Sequence, residues 1–249
     1  MLKRTSTAAI AACAVASVWV LSPMAHGAAP AAAPAAAAVS QGPTPLDRYL
    51  EHLRTLRVTF LQTVADAQGA EVGRSSGTLI VDRPGKFRWE IHPQAGAQGA
   101  GSPQGTAVGQ GGAASGGQVM VSDGRNLWYY DRDLEQVTVR PVTAALSATP
   151  AMLLSGTVDV HQHFTETSAG AREGLDWVYV EPRSTEADFK SALFGFDGKG
   201  TLQRMILEDK LGQIVTIIFQ DVQVNVAVPD SAVTFTPPQG ADVIGTPAK

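Results

Sequence analysis

Few side chains in this sequence have the type and spacing to do chemistry. His161 and His163 stand two apart, which on a strand puts both imidazoles on one face, where they could supply part of a metal site. No third ligand is expected to join them, so the plainer reading is two half-exposed strand residues. Asp131 and Asp133 sit at the end of a strand and read as turn residues rather than as paired catalytic carboxylates. Gly109 and Gly111 have the look of a dinucleotide loop, but they lie in a Gly/Ala run without the strand-then-helix setting that such a loop needs. No nucleophile elbow of a serine hydrolase is expected, and the only cysteine, Cys13, falls in the leader. The expectation is a protein that is not an enzyme, with no catalytic residues, no metal and no cofactor.

The elements around these residues explain more. Lys3 and Arg4 precede an apolar run from Ala8 to Leu21, and small residues surround a cleavage point after Gly27. Residues 1–27 therefore read as a signal peptide whose apolar run is short for a bilayer span, so an exported, periplasmic protein is expected. Ile10-Ala11-Ala12-Cys13 resembles a lipobox, which would tether the chain, although apolar residues continue past it to Leu21. Residues 28–45 are an Ala/Pro-rich stretch with almost no charge and read as a disordered tether. The formal net charge is −4, and losing Lys3 and Arg4 makes it two units more negative. With no Lys/Arg cluster, a nucleic-acid partner is not expected.

From residue 46 to 249 the chain reads as one domain with a low-complexity insertion at 94–117. Leu46, Tyr49, Leu50, Leu53, Leu56 and Phe60 recur at three- and four-residue spacings, predicting an amphipathic helix over 46–61 capped by Thr44. After it, period-two alternation predicts short strands at 77–82, 86–92, 118–122, 126–131, 136–140, 159–166, 176–181, 189–196, 201–209 and 213–222. Residues 142–155 break the pattern as an apolar helical piece. Ten to eleven antiparallel strands covered by two helical pieces predict a mainly β, unclosed half-barrel. Trp89, Ile91, Val121, Trp128, Tyr130, Val137 and Val139 are candidates to line its concave face. They would form either an ordinary dry core or, under a mobile cover, a cavity for acyl chains.

The order of motifs is also informative. Arg83-Pro84-Gly85-Lys86-Phe87-Arg88-Trp89-Glu90 is followed by Val121-Ser122-Asp123-Gly124-Arg125-Asn126-Leu127-Trp128-Tyr129-Tyr130. Leu134-Glu135-Gln136-Val137, Thr149-Pro150-Ala151-Met152-Leu153-Leu154 and Phe235-Thr236-Pro237-Pro238-Gln239-Gly240-Ala241-Asp242-Val243 come next. From about Leu46 to Val243 this resembles the LolA family of outer-membrane lipoprotein carriers.

The resemblance implies a hydrophobic cavity under a helical lid of Met152, Leu153 and Leu154. It implies that Arg83 latches the lid through carbonyls of Leu50, Leu154 and Ser155, and that Phe87, with Trp89 on the same face, receives cargo. It further implies a monomer that accepts acylated lipoproteins from the inner-membrane LolCDE transporter and delivers them to the outer-membrane receptor LolB. The insertion at 94–117, the tether and Ala151 depart from the family pattern. A lipid-anchored LolB-like receptor and a LolA-like envelope-stress sensor are the alternative readings.

Overall fold

The computed structural model describes residues 42–94, 117–142, 150–157, 159–185, 187 and 189–248. The signal peptide, most of the tether, insertion residues 95–116 and residues 143–149 of the second helical piece lie outside the described residues.

The first helix, α1 (Pro45–His52), starts where the sequence places its cap. Thr44 Oγ1 accepts from the Asp47 N–H and Asp47 returns a bond to the Thr44 N–H, a capping box that satisfies two orphan donors at once. It stops at His52, far short of residue 61. Strand β1 (Thr55–Ala65) begins three residues later, burying Leu56, Val58, Phe60 and Gln62 on one side. Leu56 and Phe60 are four apart, a spacing that fits one face of a helix and one face of a strand equally well. The β-branched residues Thr55, Val58, Thr59, Thr63 and Val64 favour the strand, which also gains hydrogen-bonded neighbours on both sides.

The remaining strands are β2 (Glu71–Asp82), β3 (Lys86–Pro93), β4 (Gln118–Asp123), β5 (Asn126–Asp131) and β6 (Gln136–Pro141), then β7 (Phe164–Arg172), β8 (Leu175–Pro182), β9 (Phe189–Phe196), β10 (Leu202–Asp209), β11 (Ile214–Val224) and β12 (Asp242–Gly245). Helices α2 (Pro150–Ser155) and α3 (Val160–His163) lie between β6 and β7. Residues 160–163, expected within a strand, form a helical turn because Asp159 caps it by accepting from the Gln162 N–H. Among the described residues no helix is long and apolar enough to cross a membrane.

All twelve strands form one sheet in the order β12-β6-β5-β4-β3-β2-β1-β11-β10-β9-β8-β7. Its ends, β12 and β7, do not pair with each other, so the barrel is unclosed. Every pairing is antiparallel except that of β12 with β6. Two local meanders are thus joined along one seam, where β1 meets β11. The inner face carries the larger core, in which Leu46, Tyr49 and Leu50 of α1 and residues 151–154 of α2 pack among Phe60, Leu79, Val81, Phe87, Phe194 and Phe219.

The inner face is packed closely enough to dictate small residues. Gly77 lies opposite Phe60 on β1 and Ile91 on β3. A Cβ there would come within 2.0 Å of the Glu90 carbonyl oxygen and 2.5 Å of Phe60 Cζ. Gly77→Ala is therefore expected to lower stability by about 1–3 kcal/mol, since the obstructing atoms are backbone and a locked ring. A urea midpoint equal to the parent's would contradict this.

Candidate functional site

The α2 helix is short and apolar around its whole circumference. Ala151, Met152, Leu153, Leu154 and Ser155 are all buried. A helix with no polar face belongs inside a core, and this one packs against β2 and β3 on the inner face of the sheet. It ends in a Schellman motif: the Gly156 N–H bonds Leu153 O at 3.2 Å and the Thr157 N–H bonds Met152 O at 3.1 Å. Gly156 takes φ +71°, the left-handed conformation that this ending needs.

Polar contacts then fasten α2 to the β2–β3 turn. The Gly85 N–H donates to Ser155 O at 2.8 Å. Ser155 Oγ lies 2.6 Å from Thr157 Oγ1 and 3.0 Å from Met152 O. Ser122 Oγ on β4 donates to Gly85 O at 2.6 Å, holding the turn from the other side.

Arg83 stands at the junction of these parts. Its Nη1 donates to Leu50 O in the last turn of α1, a carbonyl of the kind a helix end leaves without an intrahelical partner. Its guanidinium lies against Gly156, so that a Cβ added there would meet Nη2 at 2.7 Å and Nε at 2.8 Å. Burial lowers the Arg83 pKa from its ordinary value. Among the described residues it makes no hydrogen bond to the carbonyls of Leu154 or Ser155, which corrects the expected acceptor set. Ser155 O accepts instead from the Gly85 N–H, and the guanidinium seats on Gly156.

Gly156 was missed in the sequence, and Gly85 was read there only as part of a motif. For Gly156 the signal was present, a glycine immediately after the apolar run Met152-Leu153-Leu154-Ser155. Gly156→Ala adds both left-handed strain and a clash with Arg83. It should lower the melting temperature, with a loss on the order of 1–3 kcal/mol; an unaltered melting curve would mean the guanidinium moves aside freely.

Phe87, Trp89 and Ile91 share the inner face of β3. Phe87 is fully buried opposite Val81, and Trp89 lies opposite Leu79 with its ring 5.5 Å from that of Phe60, nearly edge-on. Two buried polar atoms on this side, Trp89 Nε1 and the Tyr49 hydroxyl, have no hydrogen-bond partner among the described residues, and burial pushes the Tyr49 pKa well up.

The other candidate liners are elsewhere. Val121, Trp128, Val137 and Val139 form a separate cluster with Val119 on the opposite face, and Tyr130 packs against it. Phe235 from the C-terminal segment covers them, its ring 5.6 Å from Trp128 and 6.0 Å from Tyr130. Strand register is the cause: Trp89 pairs with Met120, and Met120 with Tyr129, so Val121 and Trp128 point outward. The apolar residues that β4 and β5 send to the inner core include Met120 and Leu127, neither of which was singled out in the sequence as a liner.

A cleft of about 490 Å³ opens beside α1, between Tyr49, His52 and Leu53 and the β9–β10 turn around Phe196 and Gly198. The spelling Gly-x-Ser-x-Gly does occur, at Gly73-Arg74-Ser75-Ser76-Gly77. It runs along extended β2 rather than round a strand-to-helix turn, so it presents no exposed nucleophile. Likewise His161 and His163 sit on the α3 turn, and Asp131 Oδ1 accepts from the Asp133 and Leu134 N–H groups as a turn residue does.

The family model described as outer membrane lipoprotein carrier protein LolA matches residues 51–96 and 114–236. The outer-membrane lipoprotein carrier protein of Dechloromonas aromatica is 38% identical over 200 residues, covering 80% of this chain and 86% of that one. Its counterpart in Nitrosospira multiformis is 36% identical over 199 residues, with the same coverage of 80% and 86%. A solved LolA superfamily protein from Nitrosomonas europaea aligns over 77% of this chain and 96% of its own, with a TM-score of 0.41 and 13% identity.

Proposed function

Because the chain belongs to the LolA family of outer-membrane lipoprotein carriers, we propose that it is a periplasmic carrier that shields the acyl chains of lipoproteins inside its half-barrel. It takes them from the inner-membrane LolCDE transporter, hands them to the outer-membrane receptor LolB, and works as a monomer without a cofactor. The observation that carries this reading is α2, a helix apolar up to its closing Ser155, buried on the inner face and fastened by polar contacts at one end.

Such a helix acts as a removable plug. Met152, Leu153 and Leu154 each contribute about 1.5–3 kcal/mol of apolar burial, so vacating the inner face costs roughly 4.5–9 kcal/mol. An acyl chain recovers about 0.8 kcal/mol per buried methylene, so roughly six to eleven methylenes offset the loss. Longer acyl chains therefore displace the plug, and its cost is subtracted from their hold on the inner face, which suits a protein that must also let go. Arg83, through Leu50 O and its seat on Gly156, is the latch, and the Gly85 N–H holds the plug at Ser155 O. Phe87, Trp89 and Ile91 receive the chains, and Trp89 Nε1 is a free donor for an ester carbonyl.

The test is release of lipoproteins from spheroplasts bearing the matching transporter by the purified protein. Soluble one-to-one complexes are expected. No release would overturn the carrier reading.

A further inference from the structure

Three side chains with ligating atoms converge where the N-terminus of α1 faces α3 and the edge strand β7. Atoms of Asp47, His161 and Glu166 lie within 4.8 Å of one another. Asp47 Oδ1 is 3.3 Å from His161 Nε2, and Glu166 Oε1 is 3.9 Å from His161 Nδ1. Thr44 engages the other oxygen of each carboxylate: its N–H donates to Asp47 Oδ2 at 2.8 Å and its hydroxyl to Glu166 Oε2 at 2.7 Å. One residue thus orients both acids, leaving Oδ1 and Oε1 turned towards the imidazole. The Glu166 side chain is only 6% exposed and its Oε1 has no hydrogen-bond partner among the described residues. A buried carboxylate oxygen without a donor is costly unless a proton or a cation completes it, and burial raises the Glu166 pKa from its ordinary value.

We propose that Asp47, His161 and Glu166 form a binding site for a divalent transition-metal cation of the zinc type. One nitrogen and two carboxylate oxygens are a familiar donor set for Zn²⁺, with water in the remaining position. The His161 side chain is 73% exposed, so its ring is free to turn one nitrogen towards both carboxylates. Thr44 serves as the outer partner that fixes the ligands, the usual role of groups behind a metal's direct donors. His163, on the same turn, stands outside the cluster. A bound cation would join α1 to α3 and β7, fastening the start of a helix that packs on the inner face.

The experiment is calorimetric titration of the chelator-stripped full chain with Zn²⁺ in the absence of lipoprotein. One equivalent bound with micromolar or tighter affinity is expected, weakened about tenfold or more in His161→Ala and Glu166→Gln and unchanged in His163→Ala. Hydrogen exchange across residues 46–53 should slow on adding zinc to the parent but not to His161→Ala. Because His161 is exposed, its replacement leaves the fold intact, and a matching melting curve without metal checks this. No saturable binding, or equal binding by the parent and His161→Ala, overturns the proposal. Neither result bears on lipoprotein release, which is measured separately.

Discussion

Replacing Arg83 with Leu is expected to release α2 from the inner face while leaving the sheet folded. The guanidinium is the donor to Leu50 O and also rests on Gly156, so one side chain spans the end of α1 and the end of α2. Leucine has no donor. A hydrogen bond from a charged group contributes about 1.5–3 kcal/mol, and a carbonyl left buried without a partner costs about 1–3 kcal/mol. A combined loss of about 3 kcal/mol shifts the ratio of plugged to open molecules by on the order of a hundredfold. Amides of residues 151–157 should then exchange faster by a similar factor, and an apolar dye should bind the vacated face. Cargo uptake should persist, because the proposed receiving residues are untouched, and delivery should falter if the latch drives release. Global destabilisation without faster local exchange would show that Arg83 merely braces the core.

Phe87→Glu should have the opposite character, disabling the inner face itself. Phe87 is fully buried among Val81, α2 and the inner core, an apolar setting for a carboxylate. Losing the ring costs about 3–5 kcal/mol, as in other large core deletions. The new carboxyl adds a desolvation penalty that raises its pKa above the ordinary glutamate range. The sign follows from linkage. With the folded-state pKa above the unfolded one, the penalty is greatest at neutral pH and diminishes as the pH falls through the folded-state value. The variant should therefore gain stability relative to the parent on mild acidification, and acquire little or no lipoprotein at neutral pH. Phe87→Leu, which keeps the face apolar, should retain most uptake. Full uptake by the glutamate variant would remove Phe87 from the receiving surface.

How much of this was legible in the sequence depended on whether the determinants were local. The alternation around Phe87, Trp89 and Ile91, the tight turns and the Thr44 cap are written within a few residues, and the half-barrel class followed from them. The end of α1 was not, because Leu56 and Phe60 satisfy both periodicities and only pairing with β2 and β11 decides between them. The outward placement of Val121, Trp128, Val137 and Val139 was illegible for another reason. Between β3 and β4 lies the insertion at 94–117, whose length says nothing about register, and a slip of one residue exchanges the faces of every later strand. In the Asp47–His161–Glu166 cluster His161 and Glu166 are near neighbours in sequence but Asp47 is more than a hundred positions away, so a search along the chain could not assemble all three.

The seam between β1 and β11 has a consequence for how the molecule comes into being. Leu56 pairs with Val224 and Ala65 with Ile214, so a strand near the start of the domain waits for one near its end. The meanders on either side consist of neighbouring hairpins and can form early, whereas the seam requires closure of a very long loop and belongs to the slow part of folding. Until it closes, a chain emerging N-terminus first holds β1 as an unpaired, adhesive edge beside an apolar face. Substitutions confined to the seam should therefore reduce yield and promote aggregation more than their effect on the finished protein's stability would suggest.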